Sequence, residues 1–185
     1  MPINKKATMS QYRNLLKHED KRLAALRKLK ILDSPYESLF DAITLAASEI
    51  CKSPIALIAF VDEERQWFKS NIGLEGITET PRDIAFCSHT IELDGTMEIK
   101  DATLDERFKN NPLVTGEHNI RFYAGAPITL PLGEKIGTIC VLDRITHELD
   151  DTQKAALESL AKVVAKALVI RDIHLKSSHL LDDVS

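Results

Sequence analysis

Two side chains that could do chemistry together, Cys87 and His89, stand two positions apart in the apolar stretch RDIAFCSHTI, residues 82–91. A thiol beside an imidazole could form a nucleophile–base pair, because a neighbouring base converts the thiol to the reactive thiolate. The pair could instead supply half of a metal site, or Cys87 could pack in the wall of a pocket. On a strand, positions i and i+2 share a face, whereas on a helix they lie about 200° apart. The sequence leaves this geometry open, and we favour the pocket wall.

Polar residues flank the irregular middle of the chain, where a covered sheet should be apolar. They are Asp83, His89, Asp101 and Arg121. A ligand site is mostly apolar with a few convergent polar groups, so these four are candidates for orienting a ligand, with surface ion pairs as the alternative. The five other histidines are scattered without metal-ligand spacing, and no phosphate-binding loop, H-E-x-x-H or G-x-S-x-G motif occurs. We expect neither a metal nor a cofactor.

Periodic apolar residues predict two helices near the N-terminus. Leucine recurs at every third position from 23 to 29, which predicts a helix that begins at about Glu19. Ser34 and Pro35 interrupt it. We predict that Ser34 caps a second helix, with Pro35 at its first position, that ends at about Cys51.

Apolar runs of strand length predict two hairpins and one short strand. Pro127 lacks a backbone N–H, so we expect a sheet edge or a bulge at that position. The predicted strands are IALIAFVD (55–62) with QWFKSNIG (66–73), FYAGAPITL (122–130) with KIGTICVLD (135–143), and MEIKD (97–101).

The order of elements is helix, helix, hairpin, irregular middle, hairpin, helix. This segregation indicates an α+β domain with a central antiparallel sheet of five to six strands and the terminal helices on one face. The other face can be covered only by residues 73–120, a segment called the lid below; connections of this length are typically functional. We predict a flexible basic segment over residues 1–18, one domain over 19–172 and a helical extension or tail over 173–185.

The last helix is more apolar than packing on a sheet requires. It is predicted from Thr152 to beyond Ile170, capped by Asp150 or Asp151. A helix that lies on a sheet buries one stripe, so we hypothesise that the excess forms a helical bundle between two copies of the chain, a parallel homodimer. Coverage within the monomer is the alternative. The apolar positions are Ala155, Ala156, Leu157, Leu160, Ala161, Val163, Val164, Ala165, Ala167, Leu168, Val169 and Ile170.

Composition and charge limit the class of protein. The 185 residues are 44% hydrophobic and 28% charged, as in a soluble globular domain, and no apolar run approaches the roughly 20 residues that cross a bilayer. The N-terminus has no apolar signal region, and three irregularly spaced cysteines make no disulfide framework, so we expect a cytoplasmic, reducing setting.

The first 30 residues hold nine basic and two acidic side chains. Because no aromatic residue beyond Tyr12 lies among them, we interpret them as a solvated helix face, with no nucleic-acid or membrane partner.

Several separated blocks resemble the GAF domains of bacterial signalling proteins, in the same order, from about Glu19 to Ile170. They are RLAALRKLKILDSP, IALIAFVDEERQWFKSNIGL, TPRDIAFCSHTI, DERFKNNPLVTGEHNIRFYAGAPI and IGTICVLDR. The resemblance implies a GAF/PAS-like sheet, a small-molecule pocket under the lid and dimerisation through the terminal helices. Carried across by position, the pocket would involve Trp67 or Phe68, Asp83, Phe86, Cys87, His89, Asp101, Arg121 and Tyr123.

Family members differ in what they bind. Relatives that bind a bilin anchor it on a Cys-His in the lid, where this chain reads PLVTGEHNIRF, and the Asn-Lys…Phe…Asp-Glu signature of cyclic-nucleotide binders is absent. The resemblance favours a sensory domain that binds an unknown small molecule, acts without catalysis and signals through paired helices to a downstream protein or domain. Two alternatives are an enzyme like the stand-alone GAF protein that reduces free methionine sulfoxide, with Cys87 as nucleophile, and a ligand-free dimerisation module.

Overall fold

The computed structural model describes residues 9–182 of the chain. Within that range five α-helices, one 3₁₀ turn and six strands follow one another, in the predicted alternation of helices and hairpins. Their bounds are α1 Met9–Lys28, α2 Ser38–Cys51, β1 Ile55–Val61, β2 Arg65–Ile72, β3 Glu79–Pro81, the 3₁₀ turn Arg82–Ile84, α3 Phe86–Thr90, β4 Met97–Ile99, α4 Pro112–Thr115, β5 Phe122–Thr129, β6 Lys135–Asp143 and α5 Asp151–Asp182.

The strands form one antiparallel sheet in the order β3-β2-β1-β6-β5-β4. All seven residues of β1 are buried, because β1 lies at the centre of the sheet with both faces covered. The predicted α+β fold is confirmed, with six strands.

Each face of the sheet contributes to a separate hydrophobic cluster, since successive strand residues point to opposite faces. Ile139 and Val141 of β6 pack with α1, α2 and α5 on one face. Cys140 and Leu142 pack under the lid on the other face, together with side chains from α3. The lid therefore covers the face that the helices leave free, as predicted.

The first two helices begin at other positions than the sequence predicts. Helix α1 begins at Met9 rather than at about Glu19, so residues 9–18 of the predicted flexible segment are helical. Helix α2 begins at Ser38 rather than Pro35. The reason is Lys69 of β2, whose Nζ donates to Ser34 Oγ at 2.8 Å and to the Pro35 carbonyl. Both groups are thereby committed to the sheet and do not start a helix.

The ends of β5 and α5 agree with the sequence reasoning. Strand β4 pairs only with residues 123–125 of β5, so Pro127 lies where β5 has a free edge. Asp150 caps α5: its Oδ1 accepts from the Gln153 N–H at 2.8 Å, and Gln153 Oε1 accepts from the Asp150 N–H at 3.0 Å. None of the helices in residues 9–182 has the length and apolar character to cross a membrane.

Candidate functional site

A small cavity lies between the lid and the sheet. Its volume is about 20 Å³, which is room for a single water molecule, because one water needs about 10–15 Å³ of such space. Most of its lining is apolar, and two thiols belong to it. The lining residues are Leu57, Gln66, Phe68, Leu74, Ile77, Thr80, Phe86, Cys87, Leu113, His118, Ile120, Tyr123, Cys140 and Leu142.

Aromatic rings fill most of the space in which the sequence predicts a ligand pocket. Phe86 of α3 stacks on Phe108 of the lid and on Tyr123 of β5, with ring centroids 4.4 and 5.1 Å apart. All three side chains are buried, and stacked pairs of this kind add to the stability that their burial provides. The lid is therefore closed on the sheet, and a guest much larger than a water molecule has no room beneath it.

Two cysteines and three hydroxyl groups form a buried polar cluster beside the cavity. Cys87 Sγ lies 3.9 Å from Cys140 Sγ. Thr138 donates from Oγ1 to Cys87 Sγ at 3.0 Å, and Tyr123 donates from its hydroxyl to the same sulfur at 3.6 Å. The Tyr123 hydroxyl also lies 2.7 Å from Thr90 Oγ1. The cluster connects α3 of the lid to β5 and β6 of the sheet.

These contacts shift the acidity of the two thiols in opposite directions. The pKa of Cys87 is lowered from its ordinary value, because Cys140, Thr138 and Tyr123 donate hydrogen bonds to its sulfur, although burial opposes this change. The pKa of Cys140 is raised, because its proton is held towards Cys87 and because the group is buried. Burial likewise raises the pKa of Tyr123. Cys87 is thus the more acidic thiol of the pair.

Gly125 makes room for the Tyr123 hydroxyl. A Cβ atom at Gly125 would come within 2.1 Å of that hydroxyl oxygen, so the tyrosine ring can lie along its own strand only because position 125 has no side chain. The glycine therefore fixes the hydroxyl near Cys87 and Thr90.

Gln66 brings an unsatisfied acceptor to the cavity. Its side chain lines the cavity and is 4% exposed, and its Nε2 donates to Thr80 Oγ1 at 2.6 Å. Its Oε1 atom has no hydrogen-bond partner among the residues that the structure describes. A buried carbonyl without a donor is costly, so a guest that can donate a hydrogen bond is favoured here.

Four of the nine predicted site residues line this cavity: Phe68, Phe86, Cys87 and Tyr123. Trp67 packs on the opposite face of the sheet, with the helices, because it neighbours Phe68 on a strand. A role of the four lining residues in binding a ligand stays a prediction.

The four polar candidates lie outside the cavity lining. His89 is on helix α3, where positions two apart do not share a face, and its ring meets Phe108 edge-on at 4.9 Å. Asp83 is exposed on the 3₁₀ turn. Asp101 accepts from the N–H and hydroxyl of Thr103. Arg121 donates to the Val114 and Ile120 carbonyls and to Asn119 Oδ1.

The sequence pattern does not single out Cys140, Thr138 or Gln66 as site residues. The alternation along β6 does place Thr138 and Cys140 on one face. That this face lies under the lid follows from the pairing of β6 with β5, in which Leu142 lies opposite Tyr123. Pairing the two strands of the second hairpin from the sequence therefore predicts that Tyr123, Thr138 and Cys140 share a face, but it does not predict their distances from Cys87.

Glu19 connects the lid to α1. Its carboxylate accepts from Arg22 Nε and Nη2 at 2.9 and 2.8 Å on the same helix, and from Arg82 Nη1 at 2.6 Å on the 3₁₀ turn. These hydrogen bonds, that from Arg22 first, lower the pKa of Glu19 from 4.5 to about 2. Arg22 also donates to the Val61 carbonyl at the end of β1. The contact ties the start of the lid helix to a terminal helix.

A family model described as GAF domain matches residues 35–168 of the chain. The chain is also similar to a cyclic di-GMP phosphodiesterase of Pseudomonas aeruginosa, with 41% identity over 167 residues, which cover 89% of this chain and 27% of that protein. The chain thus spans about a quarter of the length of that curated relative.

Solved structures share the fold at low sequence identity. The GAF domain of an Acinetobacter phosphoenolpyruvate-protein phosphotransferase superposes with a TM-score of 0.61 at 14% identity, covering 88% of this chain and 95% of that one. The free methionine-R-sulfoxide reductase of Neisseria meningitidis, solved with its substrate, gives 0.60 at 14% identity, covering 95% and 98%. At these identities the similarity concerns the fold alone.

Proposed function

Because this chain belongs to the GAF domain family, we propose that it is a regulatory domain of a bacterial signalling protein. In this proposal it pairs with a second copy through α5 and relays the state of its lid to a downstream output protein or domain. The relative at 41% identity is named a cyclic di-GMP phosphodiesterase, of which 27% aligns with this chain. Because most of that protein lies outside the aligned part, the similarity supports a regulatory role for this chain beside a catalytic region.

A second apolar stripe on α5 carries the proposal. Helix α5 buries Leu157, Ala161, Val164 and Leu168 in the core. Leu160, Val163, Ala167 and Ile170, called the α5 seam below, follow the same three-and-four spacing on a neighbouring side of the helix. Val163 is 45% and Ile170 is 56% exposed, while Leu160 and Ala167 are half-buried. A repeat of this spacing is what a two-helix coiled coil uses for its interface.

Helix α2, which lies beside α5, also has exposed apolar side chains. It packs against α5 and leaves Leu39, Leu45 and Ile50 between 40% and 54% exposed. Exposed apolar area that extends over two packed helices is typical of an interface. We therefore place the contact between two copies on α5, flanked by α2.

Light scattering tests this pairing. The wild-type chain at micromolar concentration should have the mass of two copies. Val163→Glu with Ile170→Glu places charges in the seam; with about 1 kcal/mol lost for each of four side chains in the pair, dissociation should become roughly a thousandfold easier. Ala155→Glu with Lys162→Gln changes the net charge equally on exposed positions outside the seam and should leave the mass unchanged. A wild-type mass of one chain would refute the pairing.

The lid cavity limits what the domain senses. A space of about 20 Å³ admits a guest little larger than water, and a bulkier ligand would have to displace lining side chains such as Phe86. We therefore propose that the signal is a very small molecule or a movement of the lid itself. The alternative, a ligand-free dimerisation module, keeps the pairing of two copies but needs no guest. It predicts that no molecule that enters the cavity changes the arrangement of the helices.

The sulfoxide-reducing enzyme is the second candidate, because Cys87 has a second thiol beside it at 3.9 Å. Free methionine sulfoxide is many times larger than the cavity. We expect no turnover when the protein is incubated with free methionine sulfoxide and a thioredoxin system. Turnover that disappears in Cys87→Ser would instead establish the enzyme.

A further inference from the structure

Cys87 and Cys140 are the only two cysteine side chains in contact with each other in the described part of the chain. They are 53 positions apart in sequence and meet at 3.9 Å between the lid helix α3 and the central strand β6. The third cysteine, Cys51, packs in the other cluster, on the helix face. A covalent bond between Cys87 and Cys140 would therefore join the lid to the sheet.

The cavity beside these thiols fits one molecule little larger than water. Both sulfurs line it, and so does Gln66, whose buried Oε1 lacks a donor. Several lining residues of the lid, among them Leu74, Ile77 and His118, are only half-buried. The cavity is thus separated from solvent by a single layer of side chains. A guest with two oxygen atoms and two O–H donors can reach the thiols and satisfy Gln66, whereas a bulky guest cannot.

We propose that hydrogen peroxide enters this cavity and oxidises Cys87 and Cys140 to an intramolecular disulfide. The Cys87 thiolate attacks one peroxide oxygen, the O–O bond breaks, and the departing hydroxide takes up a proton to become water. Cys87 is left as a sulfenic acid. The Cys140 sulfur then attacks the Cys87 sulfur, the S–O bond breaks, and the second hydroxide combines with the Cys140 proton as water. In sum, two thiols lose two electrons and two protons, and one peroxide becomes two waters.

The hydrogen bonds of the cluster assign the two roles. Thr138 and Tyr123 both donate to Cys87 Sγ, which favours the thiolate there and makes Cys87 the attacking sulfur. Cys140 keeps its proton, as its raised pKa indicates, and it lies close enough to resolve the sulfenic acid. The arrangement supplies the resolving thiol that the sequence alone does not reveal.

Formation of the disulfide would move the lid helix. A disulfide holds its sulfurs about 2.05 Å apart, so the two atoms must close from 3.9 Å, and α3 is the shorter and less deeply embedded of the two elements. Ser88 on α3 donates to the Arg82 carbonyl at 2.8 Å, and Arg82 holds Glu19 of α1. A shift of α3 therefore reaches α1 by direct contacts. The disulfide does not depend on the pairing through α5; only its use as a signal rests on the proposed function.

Mass spectrometry of the folded wild-type chain tests the proposal. The reduced protein is treated with hydrogen peroxide, unfolded in denaturant that contains an alkylating agent, and digested. The expected product is a Cys87–Cys140 linked peptide, with Cys51 alkylated. Recovery of both thiols in alkylated form, at peroxide concentrations that oxidise half of an equal amount of glutathione, would overturn the proposal. Light scattering on the same samples reports separately on pairing, so the failure of one proposal is distinguishable from the failure of the other.

Variants and a second oxidant sharpen the test. In Cys140→Ala, Cys87 should stop at the sulfenic acid and react with dimedone, whereas Cys51→Ala should form the disulfide at the wild-type rate. Relative to glutathione as a reference thiol, the protein should react with hydrogen peroxide at least tenfold faster than with tert-butyl hydroperoxide. Equal relative rates for the two oxidants would overturn the assignment. Labelling of Cys140 but not of Cys87 by dimedone in the wild-type chain would overturn it too.

Discussion

Replacing Glu19 with Gln tests whether α1 and the lid are coupled. The wild-type carboxylate holds Arg22 on α1 and Arg82 on the 3₁₀ turn before α3. The Glu19→Gln variant keeps the size and one acceptor oxygen of the side chain but removes its charge, so the three charge-assisted hydrogen bonds from the two arginines weaken. Arg22 keeps its bond to the Val61 carbonyl.

The pKa of Glu19 sets the expected magnitude. A carboxyl whose pKa falls from 4.5 to about 2 on folding gains at most about 3 kcal/mol of stabilisation at neutral pH. The side chain is one third exposed, so water screens part of the attraction. We therefore expect the free energy of unfolding at pH 7 to fall by about 1–2 kcal/mol. Because folding lowers this pKa, the contribution is complete above pH 4.5 and is lost as the pH falls towards 2.

Urea unfolding followed by circular dichroism measures the effect. A double-mutant cycle with Arg82→Gln isolates the contact between α1 and the lid and should give a coupling energy of about 1 kcal/mol. Glu148→Gln, which removes an exposed carboxylate paired with Lys100, serves as the control and should unfold at the wild-type urea concentration.

A double variant whose loss of stability at pH 7 equals the sum of the losses in the two single variants would refute this coupling. A difference between wild type and Glu19→Gln that stays constant from pH 7 to pH 2 would also contradict it, because the assigned pKa requires the difference to disappear.

Two further substitutions test how the site is held. Lys69→Met should lower the free energy of unfolding by about 2–4 kcal/mol, because it removes the hydrogen bonds that the buried Lys69 ammonium donates to Ser34, to the Pro35 carbonyl and to Glu37; Lys109→Met, at an exposed lysine, should leave the urea midpoint unchanged. Gly125→Ala should cost about 1–3 kcal/mol and expel the Tyr123 hydroxyl from the thiol cluster, since the new Cβ would lie 2.1 Å from that oxygen; Gly95→Ala, with its nearest atom at 3.6 Å, is the control. Thermal or urea unfolding measures the loss of stability in each variant. If a control loses as much stability as the variant it is matched with, the contact described for that variant is wrong.

The second hairpin shows how much local pattern can predict. The sequence predicts β6 at 135–143 and β5 at 122–130, and the strands span Lys135–Asp143 and Phe122–Thr129. Continuous apolar runs beside a turn containing proline and glycine are a local signal, and local signals decide these bounds.

The start of α2 shows where local pattern fails. Ser34 and Pro35 carry the features of a helix start, but Lys69, 35 positions later, binds both of them. The contact from Lys69 on strand β2 outweighs the local preference for a helix start, and no residue near Ser34 in the sequence indicates this contact.

The candidate site is predictable only in part for the same reason. The resemblance to GAF domains implies that Phe86, Cys87 and Tyr123 lie together under the lid, and the three side chains do pack in one cluster there. The 3.9 Å approach of Cys140 depends on how a five-residue helix, α3, settles on the sheet. The closing of the pocket to about 20 Å³ depends on the stacking of Phe108, which lies in a lid segment without regular structure.

The pairing of two copies along α5 is tested most directly by a cross-link at its centre. In a parallel pair, identical seam positions face each other, so Val163→Cys should form a covalent dimer on exposure to oxidised glutathione, seen on a non-reducing gel. Lys162→Cys, one residue away on an exposed side of the helix, should not. A Val163→Cys protein that stays monomeric, or that cross-links no faster than Lys162→Cys, would contradict the proposal that α5 joins two copies of the chain.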